Sequence, residues 1–220
     1  MNKVIDPNKP LPPNTKYDWH ECFAKIMLEY VLPKEFHELK IKDKPDLQNI
    51  LLDIGIEVTT AVDEKDLEMD SLFTYLESGL TRDKQKVIKK IEQLGGSISN
   101  GILSHPVHYR NLDSINQQLL KKLKKLNGNG YKIFNNNYLF ITVIDIILEK
   151  ECSELIDTYI KLQNNFKVKF DKIFVYKYGG KLFEFNLIER KYNIYILNSN
   201  EPYQIGYDAR KLVEEHENNN

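Results

Sequence analysis

Two acidic residues stand out along this chain because of what surrounds them. Asp46 follows Pro45 at the start of an extended stretch, and Glu57 is set in IGIEVTTAV, an otherwise apolar and β-branched segment. A carboxylate in such a segment loses hydration and needs a compensating partner, which makes it a candidate functional residue. If the two segments form neighbouring strands, both carboxylates converge at one edge of the pair. Paired carboxylates with carbonyl or water partners suit a hard cation such as Mg2+ (or Mn2+). A cation held there activates water and stabilises a leaving oxygen during phosphodiester cleavage. The plain alternative is an acid at a turn and a glutamate facing solvent, because short motifs are weakly specific.

The elements that must position these acids follow from periodicity. Asp18 is a suitable N-cap for a first helix, on which Trp19, Cys22, Phe23, Ile26, Met27 and Tyr30 form an apolar face ended by Pro33. Residues 40–62 read as two short strands joined by a turn, the second running from Ile54 to Val62. Alternation then places Glu57 and Thr59 on one face, and Ile56, Val58 and Thr60 on the other. Two helices follow, an acidic one over 63–79 and a basic one over 82–94 stopped by Gly95-Gly96. Residues 97–110 read as loop. A long amphipathic helix spans 112–126, with Leu112, Ile115, Leu119, Leu123 and Leu126 on its apolar stripe. The nearly continuous apolar run of 138–147 predicts a strand buried on both faces. A helix over 153–162, a hairpin across Gly179-Gly180, a strand over 193–197 and a closing helix over 208–216 complete the order. Intermixed elements of this kind give an α/β fold, a central mixed sheet flanked by helices.

The chain has 220 residues and a formal net charge of −1, so any nucleic acid would have to be held by a local basic surface. Lys121 and Lys125, with Lys124, offer one such cluster, and the Arg82–Lys90 run offers another. Both also fit solvated helix faces. The aromatic C-terminal third (Phe174, Tyr176, Tyr178, Phe183, Phe185, Tyr192, Tyr195) fits either base stacking or, at strand spacing, sheet core. Cys22 and Cys152 lack metal-ligand or disulfide spacing and read as buried thiols. His105 and His108 flank Pro106, but no Ser/His/Asp or Cys/His pattern and no phosphate-binding glycine loop emerges, so acyl transfer and nucleotide hydrolysis by those devices find no support. The proline-rich start is not a signal peptide, and no apolar run approaches the ~20 residues that span a bilayer. A cytoplasmic protein without a membrane partner is expected. Residues 1–16 are expected as an extended arm, 17–213 as a single α/β domain and 214–220 as a disordered tail.

KPDLQ followed by IGIEVTTA resembles the PD-(D/E)xK nuclease superfamily, whose members share the restriction-endonuclease-like fold. Asp46 matches the first acid and Glu57 the second. The stretch LLKKLKKLNGNGYKIFNNNYLFITVID is also similar to members in which a lysine-bearing helix leads through a tyrosine-containing turn to a buried strand. The resemblance implies a Mg2+-dependent nuclease with the metal on Asp46, Glu57 and the carbonyl of Val58. By the same resemblance Glu29 of the first helix would add a third carboxylate, with Glu21 the competing choice. The chain departs from the pattern at the motif lysine, whose place is taken by Thr59. Threonine holds a water but brings no positive charge. Lys122, at the edge of the apolar stripe of its helix, is the candidate replacement; the alternative is a lysine lying along the core rim. Gln48 shares a strand face with Asp46 and is expected to point toward the site.

Three readings stay open on the sequence. The first is a metal-dependent nuclease acting on DNA in preference to RNA, in restriction, phage defence or a mobile element. The second is a catalytically inactive module of the same fold that binds nucleic acid or a protein partner, since fold does not imply function. The third is an unrelated α/β interaction protein. A homodimer fits many nucleases of this type, but no interface patch is legible.

Overall fold

The computed structural model describes residues 9–12, 15–106, 112–144 and 146–217, and the side chains of 216 and 217 lie outside the description. Most of the expected N-terminal arm and His108 therefore lie outside the described residues. The chain divides into two compact units where one domain is expected. One comprises 1–15 and 62–109, the other 16–61 and 110–220.

The larger unit is α/β, built on a seven-stranded mixed sheet in the order β1-β2-β3-β6-β7-β8-β9. Its strands are β1 (Lys40–Ile41), β2 (Leu47–Asn49), β3 (Ile54–Thr60), β6 (Asn136–Val143), β7 (Lys172–Lys177), β8 (Lys181–Asn186) and β9 (Lys191–Ile196). The three strands β3, β6 and β7 run parallel, and their neighbours on either side pair antiparallel. Helices cover both faces, as a parallel centre requires. On one face lie α1 (Trp19–Val31) and α6 (Glu201–Glu217), and on the other α4 (Asp113–Leu126) and α5 (Cys152–Gln163).

Side-chain alternation sorts the core between these layers. Leu139, Ile141 and Val143 of β6 pack with Ile115, Leu119 and Leu123 of α4 and with Ile156 and Tyr159 of α5. The opposite face is aromatic: Phe36, Tyr138 and Phe174 meet edge to face, and Phe23 of α1 lies against Tyr176. Phe174, Tyr176, Phe183 and Phe185 are thus buried in the sheet core and unavailable for stacking on bases. Cys22 and Cys152 are free, buried thiols, and burial pushes Cys22 up to about 12.

Several local expectations change. The segment 40–62 holds three strands, not two, because the two-residue β1 is too short to show a pattern. Tyr30 is exposed and donates its hydroxyl to Glu201, while Leu28 takes the buried position on α1. The last helix begins at Glu201 and continues through Glu217, so 214–217 is helical; 218–220 lies outside the description. The smaller unit holds α2 (Glu64–Glu77), α3 (Lys84–Gln93) and a hairpin of β4 (Ser97–Ser99) with β5 (Ile102–Ser104). That hairpin lies where loop was expected. Its turn places Asn100 and Gly101 at positive φ, as a two-residue Asn-Gly turn requires.

Gly55 is the glycine that bears on the placement of Asp46. A Cβ there would come within 2.6 Å of the Phe134 ring and 2.7 Å of Pro45. Both neighbours are stiff, and Pro45 carries the backbone into Asp46. Gly55→Ala is expected to cost about 1–3 kcal/mol through overpacking, measured by urea unfolding. A change under about 0.5 kcal/mol, the usual size for an unstrained site, would show that the turn before β2 yields freely.

Candidate functional site

Asp46 and Glu57 are brought together by register. The β2–β3 pair aligns Leu47 with Ile56, which leaves Asp46 beside the next residues of β3. β2 starts at Leu47, so the edge of β3 is unpaired beyond Ile56. The Val58 N–H fills that gap by donating to Asp46 Oδ2 at 2.8 Å. The Ala61 N–H bonds Thr142 on β6, so Ala61, Thr59 and Glu57 direct their backbone groups toward β6. By alternation the Val58 carbonyl points the other way, to the Asp46 side.

Glu57 is 1% exposed, on the face covered by α4. Burial of this depth requires partners, and α4 and the loop after it supply them. Lys122 Nζ stands 2.8 Å from Glu57 Oε2 and 3.3 Å from Asp46 Oδ2, bridging the two acids. Lys125 Nζ lies 3.2 Å from Glu57 Oε2 and 3.8 Å from Asp46 Oδ1. The Tyr131 hydroxyl donates to the other oxygen, Glu57 Oε1. Lys125 also stands 6.0 Å from the centre of the Tyr131 ring. Burial alone would push the Lys125 ammonium below its ordinary value, but Glu57 and Asp46 outweigh that and hold it above.

Asp46, Lys122 and Lys125 line a groove of about 340 Å³, with Asp18, His20 and Glu21 of the α1 start and Val58, Thr59 and Thr60 of β3, while Glu57 lies buried behind it. The N-terminus of α1 is set by Asp18, whose carboxylate accepts the His20 N–H at 2.7 Å. Burial pushes the Glu21 carboxyl up to about 7, with Asp46, Asp18 and Glu57 adding repulsion and Lys122 opposing it. His20 Nδ1 is buried and has no hydrogen-bond partner among the described residues.

The expected site residues divide accordingly. Asp46, Glu57, Val58, Thr59 and Lys122 meet. Thr59 shares the α4-covered face with Glu57 and lines the groove, but its hydroxyl is taken up by Gln118 Oε1 on α4, to which it donates at 3.1 Å. Glu29 is committed elsewhere: it accepts the Leu39 N–H at 2.8 Å and pairs with Lys25 at 2.5 Å. Glu21, earlier on α1, is the helix acid in the groove. Gln48 turns back to donate to the carbonyls of Pro45 and Asp43, at 3.0 and 3.4 Å, and so braces the turn that carries Asp46. Lys121 is exposed and does not line the groove. Lys125, expected only as a phosphate contact, stands at the acids instead. The signal for it was its spacing, since residues three apart share a helix side. Tyr131 had no signal beyond lying in the turn between α4 and β6.

The donors that Asp46, Glu57 and the Val58 carbonyl offer are oxygens, as hard divalent cations prefer. Among the described residues no group of three or more His, Cys, Asp and Glu side chains is disposed to hold a metal ion. A cation here would rest on Asp46, Glu57 and the Val58 carbonyl, with water completing its shell. No helix among the described residues is long and apolar enough to cross a membrane. No protein-family model, no curated protein and no solved structure matches this chain, so its site borrows no role from a relative.

Proposed function

We propose that the chain is a metal-dependent phosphodiesterase of the restriction-endonuclease-like type, acting on nucleic acid, with DNA the preferred substrate. One observation carries this reading: the Lys122 ammonium lies within hydrogen-bonding reach of both Asp46 and Glu57. That contact supplies from α4 the positive charge that Thr59 cannot supply from β3. A Mg2+ or Mn2+ ion bound by Asp46, Glu57 and the Val58 carbonyl would activate water and stabilise charge on the scissile phosphate. Lys122 then holds the attacking water and offsets the negative charge that grows in the transition state. Glu57 fixes Lys122 through the 2.8 Å contact, and Tyr131 fixes Glu57 from its other oxygen. The substrate strand would lie along the groove lined by Thr59, Thr60 and His20.

The test is cleavage of plasmid DNA and single-stranded RNA with Mg2+ or Mn2+, comparing wild type with Glu57→Ala. Cation-dependent cleavage is expected in the wild type, falling by about a thousandfold or more in the variant. A folded wild type that cleaves neither substrate with either cation would overturn the reading and favour an inactive binding module.

A further inference from the structure

We propose that Lys125 is a movable counter-charge: its ammonium neutralises Asp46 and Glu57 in the cation-free protein, and a bound divalent cation displaces it onto a phosphate of the nucleic acid. This rests on the nuclease reading of the same site and adds a coupling that the reading does not contain.

Two carboxylates, Asp46 and Glu57, face two ammoniums, Lys122 and Lys125, so the four groups balance. The other acids of the groove, Asp18 and Glu21, lie at the start of α1 and not on the carboxylate pair. Among the four groups, a divalent cation on the same carboxylates leaves an excess of two positive charges within a few ångströms. Like charges at that spacing repel strongly away from bulk water. One ammonium must withdraw, and the geometry selects which. The Lys122 side chain is 12% exposed and makes the shorter contacts, 2.8 and 3.3 Å. The Lys125 side chain is 40% exposed, and its contacts are 3.2 and 3.8 Å. Lys125 therefore loses less on leaving the acids and has solvent to leave into.

Its destination is also constrained. The Tyr131 ring already lies beneath the Lys125 ammonium and offers it a second favourable surface. Lys125 lines the same groove as Thr59 and Thr60, so a displaced ammonium stays at the mouth where a phosphodiester would enter. The charge that opposes the cation in the free protein then favours the polyanion in the complex. Cation and nucleic acid must in consequence raise each other's affinity by equal factors.

The experiment uses the full chain and two variants, Lys125→Gln and Lys121→Gln. The second removes the same charge from an exposed position outside the groove. Circular dichroism confirms that all three proteins are folded. Mn2+ alone is titrated by calorimetry. Lys125→Gln is expected to bind Mn2+ about tenfold more tightly than wild type, with Lys121→Gln unchanged. Binding of a labelled DNA duplex is then measured in Ca2+ and in EDTA. Lys125→Gln is expected to lose about three- to tenfold of the affinity measured in Ca2+ and little of that in EDTA. Equal or weaker Mn2+ binding by Lys125→Gln overturns the displacement and leaves the nuclease reading intact. Unchanged DNA affinity in Ca2+ overturns the hand-over to phosphate. Failure of all three proteins to bind Mn2+ overturns both the inference and the nuclease reading.

Discussion

Lys122→Met is expected to lower the unfolding free energy by about 3–5 kcal/mol, because removing one partner leaves buried charge uncompensated. Asp46 and Glu57 share this ammonium, and the Glu57 side chain is almost fully enclosed. Methionine keeps the length and most of the apolar stem, so the loss reports the charge and not a cavity. The same change is expected to reduce cation-dependent cleavage by about a hundredfold or more. Mn2+ at millimolar concentration should restore part of the lost stability, since a cation between the acids does the neutralising work of the missing ammonium. Urea unfolding with and without Mn2+ measures this. A loss below about 1 kcal/mol that Mn2+ does not change would mean that Lys122 only lies along the core rim, as an exposed pair would.

The second large effect is expected at Glu184, on the sheet face opposite α4 and remote from the groove. This β8 carboxylate is 4% exposed and accepts from Lys172 at 2.8 Å, Tyr195 at 2.8 Å and Asn193 at 2.9 Å. Lys172 in turn reaches Glu35 at 2.6 Å and stands 5.7 Å from the Tyr138 ring centre. Glu184→Gln should destabilise by about 2–4 kcal/mol, because an amide cannot accept from three donors as a carboxylate does. Burial works against the Glu184 charge, but Lys172, Asn193 and Tyr195 prevail and hold the carboxyl below its ordinary value. A depressed folded-state pKa gives stability that is present above the unfolded value of 4.5 and lost as pH falls through the folded value. The gap between wild type and variant should therefore be full at about pH 7 and shrink progressively once the pH falls below 4.5. Urea unfolding across that range tests it. A gap that widened on acidification would show that Glu184 is protonated in the folded protein. Divalent cations should not rescue Glu184→Gln, which separates a structural ion cluster from the site at Asp46.

Long, strongly patterned elements were legible in the sequence. The apolar stripe of α4, the doubly buried run of β6 and the Gly179-Gly180 turn each leave a periodic or steric mark. The helix and the turn formed as expected, whereas the strand expected over 138–147 runs Asn136–Val143 and stops before the exposed Ile144 and Ile146. A central mixed sheet flanked by helices followed from their order, though not its seventh strand. The shortest element, the two-residue β1, left no such mark. β1 escaped notice for that reason. The β4–β5 hairpin need not have, because Asn100-Gly101 is a turn signal with alternating residues on either side. Within the site, Asp46 and Glu57 were readable as an acid after proline and an acid in an apolar strand. The choice between Glu21 and Glu29 was not, because it depends on where α1 crosses the sheet. Glu29 sits nearer the apolar edge yet is drawn off by the Leu39 amide, a contact set by the chain's path after Pro33. Lys125 was expected as a phosphate contact and not at the acids, because a lysine stem is long enough to return to a site that its Cα does not face.

The balance of charge around Glu57 also bears on how the protein withstands a chelator. Many clusters of acids are held apart by mutual repulsion until an ion binds, and such proteins loosen when the ion is taken away. Here Lys122, Lys125 and Tyr131 already occupy the oxygens that an ion would claim. Sequestering divalent ions should then silence the site while the surrounding fold keeps its shape, and returning them should wake it without any refolding. On the proposed reading, the chain is expected to keep its architecture whatever the supply of divalent ions, and thermal unfolding with and without EDTA checks this.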